Sequence, residues 1–537
     1  MMAADVMRPI RPALSRRGVR SAFMSDVNLP RRAPLRTIAL GLLLGVGPAP
    51  SGAADLALEF ASSDPRLVRS FEWAKGQALA YAFDAGDPVG AWYEAALPGR
   101  EAFCMRDVAH QANGAHALGL ARHTRNMLRR FAEAIAESRD FCSYWEIDRY
   151  NRPAPVDYKS DAEFWYNLPA NFDVLDAIYR MYLWTGDLAY VEDPVFRNFQ
   201  DRGVTDYVER WSLDLDRVMK RSRHMNVRGA LDPSQKFKFF RGIPTYDESR
   251  EDFVVGVDLL AVQQAAYRAY GHLQEQRGEV ESARTFFKKA ADVRALIQGP
   301  WWDERSRRFY SHVLQGDRFE GDGAQALLYW DAIDDGERLR AALDGFADRI
   351  RKGASAGIEG QSHHAEILFR YGVPDLAYAQ LLDLTREDRE RREYPEVPYS
   401  VVGAIVTGLM GITVVGESPL LAAQQGQYVD RVIRTMAGLN PSTAWAELGH
   451  LPVRANLVSA RHDGVRKSTL TNERGPALLW QATFEGASET LLVNGRPTKA
   501  TVEKGLLGRA MSWARVVVGA GDRVTVALPE AASAGRR

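Results

Sequence analysis

At 537 residues the chain exceeds what one hydrophobic core usually organises, so two domains or a large toroid with an appendage is expected. Lys+Arg and Asp+Glu both number 69, and a net charge of zero supplies no basic field, which argues against nucleic acid or a membrane surface as partner. Aromatic residues make up 10% of the chain, with 12 Trp and 20 Tyr, a usage that accommodates sugar-stacking platforms beside an ordinary core.

The first element reads as a targeting segment. Arg31, Arg32 and Arg36 precede the apolar run Thr37 to Val46, and small residues follow at Ser51-Gly52-Ala53-Ala54. Charge, a short apolar stretch and a small-residue cut are the parts of a secretory signal, and the stretch is too short to span a bilayer. The residues before Met24 read as an over-long start, and the paired arginines leave a twin-arginine route open. Residues 1–54 are therefore expected to be extension and signal, with a periplasmic or secreted mature protein that makes no membrane contact once the signal is gone.

Between about residues 65 and 411 the apolar spacing is helical. About a dozen segments fall near 66–84, 102–121, 124–139, 161–185, 205–222, 252–274, 279–297, 323–331, 333–351, 359–372, 374–384 and 397–411. They are of two grades. Ala283, Phe286, Phe287, Ala290, Val293, Leu296 and Ile297 form one apolar stripe with Arg and Lys opposite; Met127, Leu128, Phe131, Ala134 and Ile135 form another. By contrast, 253–262 is apolar nearly all round with Asp258 its only charge, and Val397 to Gly411 carries none. One-faced helices together with fully covered ones are what two concentric rings of helices produce.

Two connections are long, 140–160 and 223–251, and long loops inside a compact domain are usually functional. The second runs into Thr245-Tyr246-Asp247-Glu248-Ser249-Arg250-Glu251-Asp252, four carboxylates in six residues between Gly242-Ile243-Pro244 and the apolar run from Phe253. A carboxyl held against a low-dielectric wall keeps its proton, as a general acid must. The plainer alternative is helix capping. Cys104 and Cys142 are the only cysteines; a disulfide and two separate buried thiols are equally open. His363-His364 lacks a third ligand at metal spacing, so neither metal nor cofactor is expected.

Beyond about residue 450 the texture changes to short β-rich runs at 455–461, 478–483, 490–493, 514–518 and 523–528. Turn signals at Asp463-Gly464, Asn494-Gly495 and Gly519 to Gly521 separate them. Residues 412–454 read as a connecting segment, 455–530 as a β-sandwich-like domain and 531–537 as a disordered tail.

Short motifs carry a family resemblance. Phe103-Cys104-Met105-Arg106-Asp107 opens a helix, Trp184-Thr185-Gly186-Asp187 closes one, and Tyr246-Asp247-Glu248-Ser249 begins the acidic loop. Later come Gly357-Ile358-Glu359-Gly360-Gln361-Ser362 and Glu393-Tyr394-Pro395-Glu396. On these residues the region resembles the (α/α)6 six-hairpin glycosidases, a group with trehalase-like, glucosidase-like and rhamnosidase-like members. The resemblance implies a sugar-gripping Arg-Asp pair at Arg106 and Asp107, a general acid in the Tyr246-Asp247-Glu248 loop and a general base from a late helix. Tyr stands where the trehalase-like loop has Trp, and the Asp-rich acid motif of rhamnosidases is missing, so no substrate is carried over.

The expected fold is mainly α: an (α/α)6 toroid over 55–411 with a small C-terminal β-sandwich-like domain. The expected function is glycoside hydrolysis by two carboxyls on a carbohydrate substrate, probing an inverting separation of roughly 6.5–9.5 Å. Asp247 is the first candidate for the acid and Glu248 the second; Glu396 and Glu393 are preferred to Glu359 for the base. Arg106, Asp107, Trp145, Glu146, Trp165, Tyr166, Tyr246, His363 and His364 are the candidate sugar contacts, with an ion pair or core packing as the alternative for several. The rival classes are a polysaccharide lyase, in which Tyr, His and Arg would crowd the cleft, and a non-catalytic helical scaffold.

Overall fold

The computed structural model describes residues 57–84, 86–222, 240–248, 252–353, 357–416 and 432–530. The expected signal at 1–54, Ser249 to Glu251 of the acidic loop and the tail at 531–537 lie outside the described residues. Twelve helices alternate between an outer and an inner layer. They are α1 (Pro65–Ala80, outer), α2 (Met105–Ala117, inner), α3 (Ala121–Glu133, outer), α4 (Ala170–Thr185, inner), α5 (Pro194–Val204, outer) and α6 (Val257–Gln276, inner). There follow α7 (Val280–Gln298, outer), α8 (Ala324–Tyr329, inner), α9 (Glu337–Arg351, outer), α10 (His364–Arg370, inner), α11 (Pro374–Leu384, outer) and α12 (Glu396–Ala404, inner).

The inner helices form a closed ring. α2 packs on α4, α4 on α6, α6 on α8, α10 on α12 and α12 back on α2. The Tyr371 hydroxyl beyond α10 donates to the Leu328 carbonyl of α8 at 3.2 Å and bridges the remaining gap. α1 lies against α12 and α11, which completes the outer layer. Where α2 and α12 cross, Gly114 is required by space: a Cβ there would lie 2.0 Å from the Tyr399 carbonyl oxygen. Buried side chains explain the two grades of helix, since α3 buries one stripe (Thr124, Met127, Leu128, Phe131) whereas α4, α6 and α12 are covered nearly all round.

Local chemistry sets the helix starts. The Asp64 carboxylate accepts the Arg66 N–H at 2.9 Å, and Pro65 occupies the first position, where no donor is needed. Asp193 and Pro194 repeat the device at α5. That cap places the outer helix at 194–204 rather than at the expected 205–222, where only the turns Asp206–Arg210 and Val218–Lys220 are helical. The apolar run from Phe253 likewise begins as a strand, Phe253–Gly256, paired with His312–Leu314, before α6 starts. A short run apolar on all sides suits a buried strand as well as a helix, and tertiary pairing decides between them.

The β part is larger than expected: 24% of the described residues are strand against 42% helix, so the helical double ring is joined to a substantial β-sandwich. A seven-stranded sheet runs Glu59–Ser62, Trp445–Val453, Asn456–Asp463, Lys467–Arg474, Arg523–Ala527, Thr490–Val493, Arg496–Lys499. It faces a five-stranded sheet of Thr413–Val415, Val432–Thr435, Leu478–Glu485, Ala510–Val518 and Thr501–Lys504. The supposed connector 412–454 thus contributes three strands, and the N-terminal strand Glu59–Ser62 pairs with one of them. Their signal is weak because two are only three or four residues long and the third is broken by a register shift between Leu448 and Leu451.

Ring and sheets belong to one compact unit. The His116 imidazole on α2 donates to the Pro452 carbonyl at 2.9 Å, and His462 donates to the Met410 carbonyl at 3.0 Å while holding Ser468 at 2.8 Å. Cys104 and Cys142 are separate buried thiols. No helix of the described residues is long and apolar enough to cross a membrane.

Candidate active site

Five inner helices carry a carboxylate in their first turn; Glu366 of α10 pairs with Arg370, and the other four are Asp107 in α2, Asp173 in α4, Asp258 in α6 and Glu396 in α12. Unsatisfied N–H groups and the positive end of the helix dipole favour an anion at such positions. All four side chains are withdrawn from solvent at one mouth of the ring, and burial pulls against their charge. Burial pushes Asp107 up, and Asp173 and Asp258 to about 6 each. Glu396 goes the other way. Burial opposes its charge too, but the imidazoles of His363 and His110 outweigh it and hold the carboxyl well below the usual carboxylate range.

Glu396 is the centre of the cluster and is 1% exposed. Its Oε1 lies 3.0 Å from His110 Nδ1 and 2.9 Å from His363 Nε2. His110 sits one helical turn beyond Arg106 on the same face of α2. Burial disfavours its charge, yet Asp173, with its Oδ1 3.8 Å from Nε2, and Glu396 raise its pKa to about 9. The Tyr329 ring closes over both imidazoles, 5.1 Å from His110 and 4.7 Å from His363 between centroids. Glu396 Oε2, His110 Nε2, His363 Nδ1 and Asp173 Oδ1 are buried and find no hydrogen-bond partner among the described residues. His110 Nδ1, His363 Nε2 and a Glu396 oxygen, all within 4.8 Å of one another, are also a set that can hold a metal ion.

The acidic loop is tied to this cluster from the other side. The strand Arg241–Ile243 pairs in parallel with Tyr166–Asn167, and the Asn167 side-chain amide donates to the Thr245 carbonyl at 2.7 Å. The Tyr246 N–H donates to Asp258 Oδ2 at 2.6 Å, the Thr245 hydroxyl to the same oxygen at 3.1 Å, and the Tyr246 hydroxyl to Asp173. Arg106 stacks over the Tyr246 ring at 5.2 Å, and Trp145 lies 6.2 Å from that ring. Burial opposes the Arg106 charge, but Asp107 and Glu396 keep it firmly protonated. Asp247 turns toward His312, with Oδ2 3.7 Å from Nε2. Glu248 is exposed on one side, and the surrounding protein on the other pushes its carboxyl up by desolvation against the opposing pull of Arg106 and Asn167.

The remaining candidates divide. Asp107 accepts the Tyr394 hydroxyl at 2.9 Å beside Arg106, so the Arg-Asp pair faces the cluster. Glu146, on a strand paired with Ala102–Cys104, binds Arg100 at 2.8 Å; burial, then Asp157, push it to about 7. It borders a cavity of about 300 Å³ shared with Arg100, Arg149 and Tyr150. Trp165 is half-buried and bonds Asn167 at 2.8 Å. Tyr166 is wholly buried against Asn171 and Met105, and His364 bonds Gln380 at 3.0 Å beside Phe346, so both pack in the body instead of touching a sugar. Glu359 pairs with Arg391 at 2.7 Å and Glu393 with Arg392 at 3.0 Å, the latter 56% exposed. Neither adjoins His110 and His363 as Glu396 does. His110 and Asp173 were missed by sequence reasoning; their signal was a charged position on the Arg106 face of α2 and a lone early acid in an apolar helix.

The closed double ring of helical hairpins is an (α/α)6 fold. Solved structures agree. An α-L-rhamnosidase from Dictyoglumus thermophilum is similar with a TM-score of 0.55 at 11% identity, over 89% of this chain and 51% of that one. An α-L-rhamnosidase from Aspergillus terreus has a TM-score of 0.51 at 13% identity, over 87% and 50%. A putative kojibiose phosphorylase from human microbiome has 0.51 at 10%, over 86% and 60%. The chain spans about half the length of the two rhamnosidases. No family model and no curated protein matches the sequence.

Proposed function

We propose that the protein hydrolyses glycosidic bonds of an oligo- or polysaccharide with Glu396 as general base and Glu248 as general acid. The observation that carries this reading is the fixing of Glu396 Oε1 by two imidazoles while Oε2 is left without a partner. An ionised carboxylate with one oriented, unengaged oxygen is suited to taking a proton from water. Glu248, in the acidic loop, has its carboxyl pushed up by burial, and Arg106 acts electrostatically on it as it does on Glu396. Arg106 and Asp107 then grip sugar hydroxyls, with Tyr246 and Trp145 as apolar walls. An inverting course, with a water held between acid and base, is part of the same proposal. Export through the N-terminal segment belongs to the same proposal and is checked by N-terminal sequencing of the protein from the periplasm or medium.

The test is a reducing-sugar screen over plant, algal and host glycans, with proton NMR of the first-formed anomer on any substrate found. Activity undiminished in Glu396→Gln ends the assignment of the base, and a retained anomer ends the inverting course. A second reading has its own observation: His110, His363, Tyr246, Tyr329 and Arg106 crowd the mouth, as proton abstraction beside a uronate carboxylate would require. Ultraviolet absorbance from an unsaturated product on uronate polymers would establish that lyase chemistry in place of hydrolysis.

A further inference from the structure

We propose that His110, His363 and Glu396 together bind one divalent first-row cation of the Zn2+ type. The inference goes beyond the hydrolase reading and needs no glycan for its test. Three inner helices bring the donors together: His110 from the second turn of α2, His363 from the residue before α10, and Glu396 from the first residue of α12. The two imidazole nitrogens stand 3.0 and 2.9 Å from the same carboxylate oxygen. Ligands at about 2.0–2.2 Å from a tetrahedral ion lie roughly 3.3–3.5 Å from one another, so both imidazole–carboxylate spacings are within a few tenths of an ångström of that geometry, and all three donors lie within 4.8 Å of one another.

The hydrogen-bonding pattern without an ion is unsatisfactory. Both imidazoles must turn an N–H to one oxygen, and His110 Nε2, His363 Nδ1 and Glu396 Oε2 are then buried without partners among the described residues. An ion takes the lone pairs of His110 Nδ1 and His363 Nε2 together with the carboxylate. His110 Nε2 then carries the ring proton and faces Asp173 Oδ1, 3.8 Å away, which is how a carboxylate behind a ligating histidine sets its tautomer. Two imidazoles with one carboxylate select a borderline cation such as Zn2+, Co2+ or Ni2+ over Ca2+ or Mg2+, which prefer all-oxygen sets. Three protein ligands leave a coordination position open, toward the mouth of the ring.

The full chain is treated with chelator, dialysed and titrated with Co2+ alone, following visible absorption and calorimetry, then challenged with Zn2+. The expected result is saturation near one Co2+ per chain, displacement by Zn2+ and an intense tetrahedral spectrum. His363→Ala and Glu396→Gln should lose saturable binding, Asp173→Asn should weaken it about 10–100-fold, and His450→Gln, on the sandwich, should bind as the parent does. Thermal unfolding of the parent should rise with Zn2+ concentration, a measurement that stands even where a variant fails to fold. An absence of saturable Co2+ binding, or equal binding in His363→Ala, overturns the proposal. A chain that binds no Co2+ and still cleaves glycans ends this inference and leaves the hydrolase reading intact; a one-to-one Co2+ complex inert on glycans does the reverse.

Discussion

His110 Nδ1 and Glu396 Oε1 lie 3.0 Å apart, joining the second turn of one inner helix to the first residue of another that is 286 positions away in sequence. The contact closes the ring at α2 and α12 and immobilises one oxygen of the carboxylate on which the proposed chemistry depends. Replacing Glu396 by Gln keeps the shape and removes the base. A fall in kcat of about 10²–10⁴, with circular dichroism unchanged, is the expected outcome on any substrate the screen provides.

Glu248→Gln should act differently according to leaving group. A general acid matters when the departing oxygen is strongly basic, so the loss should approach roughly 10²–10⁴ on natural glycans and nearly vanish on activated aryl glycosides. Asp247→Asn, beside His312, should show no such dependence on the leaving group. Kinetics over a series of aryl glycosides separates the two, and the reverse pattern would return the acid to Asp247.

Gly114 and Gly76 offer a paired test of the packing. A methyl at Gly114 meets the Tyr399 carbonyl oxygen at 2.0 Å, so Gly114→Ala must part α2 from α12 at a cost of about 3 kcal/mol or more. Gly76, in α1, has open space, and Gly76→Ala should stabilise by about 0.5–1 kcal/mol by reducing backbone entropy in the unfolded chain. Thermal unfolding of both variants reads out the opposite signs.

Acid should loosen the join between ring and sandwich. Burial lowers His116 and His462 from 6.5 to about 4 each. Above the unfolded value neither state binds the extra proton, so stability is fully present; as pH falls from 6.5 toward 4 only the unfolded chain takes it up, and stability is lost. Each histidine accounts for up to about 3 kcal/mol across that window. Because Asp173 and Asp258, raised to about 6, pull the other way in both proteins, the readout is the difference: from pH 7 down to pH 4.5 the melting temperature of the parent should lose ground to that of His462→Gln.

Both cysteines are buried thiols. The native protein should react slowly with a thiol reagent and release two equivalents once denatured, and reductant should leave its melting temperature unchanged.

Much of the ring was legible because helical burial leaves a periodic trace. The stripes at Met127, Leu128, Phe131 and at Ala283, Phe286, Ala290, Val293 reappear as the buried faces of α3 and α7. The run Val397 to Ala404 lies wholly within the core apart from Ser400, as its lack of charge implied. Strands of three or four residues leave too little alternation to read, and so 413–415, 432–435 and 59–62 were passed over.

The sequence by itself determined that the chain is a large, charge-balanced body of one-faced and fully covered helices with a β-rich end. The family resemblance, carried by short motifs, singled out Arg106, Asp107, the Tyr246-Asp247-Glu248 loop and Glu396 as candidates. Composition and periodicity are local properties, and these are local statements. Which late glutamate meets the cluster, that His363 faces Glu396 while its neighbour His364 faces Gln380, and that His110 and Asp173 join that cluster were decided only by ring closure. The reason is physical: the rotation of each inner helix about its own axis is set by packing against its neighbours, and a rotation of one residue's angle moves a side chain from the mouth of the ring into its wall.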